Sequence, residues 1–153
     1  MAGSKVKTET TMKVSATCPH HSRADVSVRD VESVIDEPEE RGGTNLGMTP
    51  TETMVSALIG CTNVITNKIV QSYGMKIEAM DINVEAQFDI RGVRLNEEVR
   101  VPFPSMTLNI DIKSPNPPEE FDKVQDDLRK FCPIAKVIRE AGTEITEHWN
   151  ISA

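Results

Sequence analysis

PTETMVSALIGCTNVITNKIVQSYG, residues 50–74, decides how the rest of the chain is read. Met54, Val55, Leu58, Cys61, Val64, Ile65 and Ile69 recur at steps of three and four, with a proline at the start and a glycine beyond the end. This is the signature of one long amphipathic helix, and its apolar stripe is broad enough to be buried centrally.

Alternation takes over on both sides of that helix. Upstream, Val6 to Ala16 alternates apolar and polar residues in the manner of a half-buried strand, CPHHSRAD (18–25) reads as a turn, and Val26 and Val28 resume strand phase. The phase slips by Val31, which predicts a bulge or a strand break. DEPEERGGTNLGMTP (36–50) combines proline, glycine and charge, and reads as a loop free to move or to clasp a ligand. Downstream, Met80 to Ile90 and Met106 to Ile112 alternate strictly on either side of the turn-rich RGVRLNEEVRVPFPS (91–105). Phe121, Val124, Leu128 and Phe131 return to helical spacing behind Glu119 and Glu120, two acids suited to a helix start. Pro133 disfavours helical geometry at Cys132, so a third helix begins there and stops at Gly142. Ile145, Trp149 and Ile151 then share the phase of a final strand.

The predicted order is two strands, helix, two strands, two helices, strand. That is an α+β arrangement, helices against one face of an antiparallel-rich sheet, in a single domain spanning 1–153. A chain of 153 residues with 38% apolar and 27% charged residues can bury a core, and neither repeats nor low-complexity tracts interrupt it. A net charge of −7 without basic clusters argues against nucleic acid or an anionic membrane as partner. With no secretory signal and no run of about 18 uninterrupted apolar residues, the reading is a cytoplasmic protein.

Three cysteines do not make a disulfide framework, so each thiol is judged for chemistry or burial. Cys132 caps a helix that opens with proline, where free backbone amides and the positive dipole end favour a thiolate. Cys61 lies on the helical stripe, beside a small and polar break formed by Gly60, Thr62 and Asn63 that leaves room for a ligand or a second sulfur. The competing reading makes both thiols buried apolar residues. If the helices bring them together, a peroxidatic and resolving pair is available: one thiolate takes an oxygen from a peroxide, and the other thiol condenses with the sulfenic acid. Glu52, in the first turn of the same helix, either serves the helix dipole or orients a cation beside the thiolate. Arg23 and Arg41 are the candidate cations, since arginine lowers a cysteine pKa and hydrogen-bonds a peroxide oxygen. Cys18, His20 and His21 fall short of the four ligands a structural zinc needs, so no metal and no cofactor is expected.

DEPEERGGTNLGMTPTETMVSALIGCTNV (36–64) and FCPIAKVIREAGTEI (131–145) resemble the two signature blocks of the OsmC/Ohr family of peroxide-reducing proteins, with the wording nearer the OsmC-like branch. The resemblance implies an OsmC-like fold with a long central helix, assembled as an intertwined homodimer with active sites at the subunit interface. It implies a peroxidatic role for Cys61 and a resolving role for Cys132, organic hydroperoxides as substrates, and a dithiol of the lipoyl type as reductant. Typical Ohr proteins place a glutamate directly after the proline; here Thr51 stands there and Glu52 follows. The activating arginine is left open between Arg23 and Arg41, and so is any part played by Cys18. From another class, the rival is a non-enzymatic dimer that binds a small ligand in an apolar cleft.

Overall fold

Strands need partners, and the computed structural model, which describes residues 7–153, shows where each alternating segment finds one. The chain forms two compact units, one ending at Thr53 and one running from Met54 to Ala153. The first holds an antiparallel sheet of β1 (Ser15–His20), β2 (Arg23–Val28) and β3 (Val31–Ile35), in that spatial order.

β1 begins later than the Val6–Ala16 alternation predicts. Val6 itself lies outside the described residues, and 7–14 carry no strand, with Met12 and Val14 exposed. The partner decides this: β2 is six residues long and pairs from Ser15↔Ser27 to His20↔Arg23. The predicted turn therefore shrinks to His21 and Ser22, and part of it becomes strand. Pro19, with no amide to donate, is accommodated where the register shifts between Thr17 and His20, on a strand at the sheet edge. At Val31 the predicted slip is a strand break, a two-residue turn with Arg29 at φ 55° and Val28 opposite Val31.

The loop after β3 is anchored at its root. Asp36 is fully buried and accepts hydrogen bonds from the Ser22 and Thr44 hydroxyls and from the amides of Glu37, Thr44 and Leu46. The Thr44 hydroxyl first, then those amides, hold its carboxyl far below the ordinary range. Gly47 passes so close to β3 that a Cβ there would stand 1.9 Å from the Val34 carbonyl oxygen. A segment that reads as free to move is thus tied to its own strand.

α1 (Pro50–Ser72) runs the predicted length. Its 18-residue apolar window reaches a mean hydropathy of 1.2, enough by length and composition alone to cross a membrane. One side of it packs into a core instead: Leu58, Thr62, Thr66, Ile69 and Val70 are buried, while Val64, in phase by sequence, is 49% exposed.

The second sheet has the order β4 (Ala79–Ala86), β5 (Ser105–Lys113), β6 (Glu144–Ser152). β4 and β5 are antiparallel, and β5 and β6 parallel, so the chain between β5 and β6 must cross over. It does so through α2 (Asp122–Phe131), entered by a 3-10 turn at Pro118–Phe121, and α3 (Pro133–Glu140). Central β5 supplies the core with Met106, Leu108, Ile110 and Ile112, none more than 2% exposed. β4 ends at Ala86, short of the predicted Ile90, because the facing chain carries Pro102 and Pro104, which cannot donate to a ladder. Beyond it, Phe88 and Phe103 stack at 4.8 Å instead.

Candidate active site

Cys132 occupies the break between α2 and α3. Its backbone is extended (φ −74°, ψ 106°), as the following proline demands. Its amide donates to Leu128 O at 2.9 Å, closing α2, and its carbonyl accepts from Lys136 N at 3.1 Å, opening α3. The side chain caps α3, with Sγ 3.5 Å from Ala135 N. It is fully buried and donates its S–H to Cys61 Sγ at 2.9 Å, across 71 residues of sequence. Both cysteines are free thiols.

Capping is not enough to ionise this sulfur. Burial first, and then the hydrogen bond to Cys61, push the Cys132 thiol from an ordinary 9.0 up to about 11, and the Ala135 amide only partly offsets them. The thiolate expected from the helix dipole is therefore not at Cys132, because a short helix end cannot replace the water that burial removes. One consequence is measurable. Unfolding exposes a thiol that ionises near 9, whereas the folded one holds its proton to about 11. The stability Cys132 contributes is full below pH 9 and lost as the pH rises to 11. In urea titrations of reduced protein, the gap between wild type and Cys132→Ser should narrow across that interval. A gap that stays constant would reject the assignment.

Cys61, half-buried, is flanked along α1 by Leu58 and Ile65, which pack against the core. The polar break beside it divides by face. Thr62 is buried, Asn63 is exposed and bonded to Asn67, and a Cβ on Gly60 would meet open space. Cys61 thus stands where the helix passes from core to surface.

The other residues singled out belong to the first unit or to the start of α1. Arg23 opens β2 rather than the turn, and forks onto Asp25 at 2.6 and 3.1 Å. Arg41 ends the 3-10 turn Glu39–Arg41 and pairs with Glu37 at 3.2 Å. Glu52 forms a reciprocal cap with Thr49: its carboxylate accepts from Thr49 N at 2.8 Å, and its own amide donates to Thr49 Oγ1 at 3.2 Å. Those Thr49 contacts first, and the Arg41 charge after them, lower the Glu52 pKa. The T-x-x-E spacing was legible in 49–52 and accounts for this carboxylate without any ligand. Cys18 is exposed on β1, and no group of side chains suited to a metal ion occurs among the described residues.

Sequence reasoning missed Glu147. It shares the phase of Ile145, Trp149 and Ile151 on β6, and its side chain is 3% exposed. The signal was there to be read: an acid at an inward position of an otherwise apolar face.

A family model described as OsmC-like protein matches residues 43–148. The fold is similar to that of the OsmC-like protein from Mycoplasma pneumoniae, with a TM-score of 0.78 at 17% identity over 95% of this chain and 99% of that one. It is also similar to an organic hydroperoxide resistance protein from Elizabethkingia anophelis, with a TM-score of 0.69 at 16% identity over 96% and 100%. The organic hydroperoxide resistance protein of Bacillus subtilis superimposes with a TM-score of 0.60 at 15% identity over 92% and 98%. No curated protein sequence matches the chain significantly.

Proposed function

The chain belongs to the OsmC/Ohr family of OsmC-like proteins, and from that premise we propose that it is a cysteine-dependent peroxidase reducing organic hydroperoxides in oxidative stress defence. The observation that carries the reading is the 2.9 Å approach of the Cys61 and Cys132 sulfurs.

The roles divide by burial. Cys132 is fully buried, keeps its proton at neutral pH and donates its S–H to Cys61, so the attack on peroxide is assigned to the half-buried Cys61. In the first step Cys61 S⁻ attacks the terminal oxygen of ROOH, the O–O bond breaks, and RO⁻ leaves and takes a proton as ROH. Cys61 becomes a sulfenic acid. In the second step the Cys132 sulfur attacks the Cys61 sulfur, water leaves, and a disulfide joins the two. A dithiol, of the lipoyl type by family resemblance, then exchanges with that disulfide and restores both thiols. Ile65, half-buried one turn along α1 from Cys61, supplies aliphatic surface for the alkyl group R.

Any part Glu52 takes is proposed to come through a second copy of the chain, as the family resemblance implies. An intertwined homodimer would supply that copy, and Val64, 49% exposed on α1, is apolar surface it could cover. Between the two arginines, Arg41 is the preferred activator: Asp25 engages Arg23 with two hydrogen bonds, whereas Arg41 makes a single contact to Glu37 at 3.2 Å and its charge reaches Glu52. Cytoplasmic placement, where thiols stay reduced, suits the cycle.

The test is mass spectrometry of reduced protein given one equivalent of cumene hydroperoxide. The expected product is a Cys61–Cys132 disulfide with cumyl alcohol released. Slow oxidation scattered over all three cysteines would favour the small-ligand-binding dimer instead.

A further inference from the structure

Glu147 is the one acid on the inner face of β6, where a carboxylate is costly unless it is paired. Its Oε1 meets Arg139 Nη2 at 2.6 Å. Its Oε2 stands 3.7 Å from Arg129 Nε and accepts from Trp149 Nε1 at 3.4 Å. The two arginines are not arbitrary neighbours. Arg129 lies in the last turn of α2 and Arg139 in the last turn of α3, and Cys132 is the single extended residue between the two helices.

With ten and eight residues, these helices are too short to hold their shape or direction alone. Val124 and Leu128 on α2, and Ala135 and Ile138 on α3, pack them against the core. Apolar packing is non-directional, and it leaves a helix some freedom to slide or tilt. An ion pair to a buried carboxylate removes that freedom. Arg139 Nη1 is closed to solvent with no partner, so Glu147 is what holds the buried side of that guanidinium.

We propose that Glu147 is a positioning residue: by tying the ends of α2 and α3 to β6, it fixes the angle at the Cys132 break and holds the Cys132 sulfur against Cys61. A disulfide tolerates little error in the placement of its sulfurs, so loosening this tie should weaken closure of the Cys61–Cys132 bond. The inference deepens the peroxidase reading and rests on it for its biological meaning, but its test needs no peroxide.

Protein carrying Cys18→Ser is equilibrated in glutathione buffers, where Cys61–SH, Cys132–SH and GSSG give the intramolecular disulfide and two GSH. The disulfide fraction is read by mass. Glu147→Gln should require about tenfold more oxidising buffer, a shift of about 30 mV for a two-electron couple. Arg139→Gln should shift in the same direction, and it decides the matter if Glu147→Gln does not fold. Ile112→Val, which thins the core at a position paired with Ile151 rather than with the clamp residues, should leave the equilibrium in place, and all variants should agree in denaturant. A folded Glu147→Gln with an unchanged equilibrium overturns the proposal, as does an equal shift in Ile112→Val. Wild-type protein inert to cumene hydroperoxide, with the variant shift intact, rejects the peroxidase reading and leaves the clamp standing.

Discussion

Cys61→Ser should abolish hydroperoxide consumption, by about a thousandfold or more, because a serine hydroxyl without an adjacent base stays protonated at neutral pH. Cys132→Ser should behave differently. The first equivalent of cumene hydroperoxide is consumed at a rate within a few fold of wild type, and the reaction then stops with Cys61 as a sulfenic acid that dimedone traps. Two residues whose sulfurs stand 2.9 Å apart thus give opposite kinetic signatures. Sustained wild-type turnover by Cys132→Ser would remove it from the resolving role, and any appreciable rate in Cys61→Ser would end the mechanism.

Phe121→Ala carries the largest expected effect on stability, a loss of about 3–5 kcal/mol. Phe121 is fully buried at the end of the turn that launches α2, within the cluster that also holds Leu58, Val124 and Cys132. Removing the ring leaves a cavity that Val124 and Leu128, fixed on their helix, can fill only in part. Since small domains hold about 5–15 kcal/mol in all, the urea midpoint should fall steeply. A change below about 1 kcal/mol would mean that the site collapses far more readily than a close-packed core does.

Much of this molecule is legible before folding. The Pro50 start and glycine-bounded end of α1, the break at Cys132 and the alternation of β5 are properties of short segments, set by φ restriction at proline and by side-chain period. Where the prediction slipped, the cause was a partner. The alternation that starts at Val6 does not become strand in 7–14, because β2 is too short to pair with it, and β4 stops where prolines face it. The T-x-x-E spacing at Thr49–Glu52 also encodes a cap, which dipole electrostatics or catalysis at Glu52 does not describe.

Local order, then, follows from residues within a few positions of one another: proline restricts its predecessor, and apolar spacing selects helix or strand. Protonation and proximity do not. That Cys132 keeps its proton depends on its burial and on a sulfur 71 residues away, and Glu147 becomes a clamp only once α2, α3 and β6 converge on it. Desolvation and Coulomb energies depend on distances in space, which no spacing along the chain encodes.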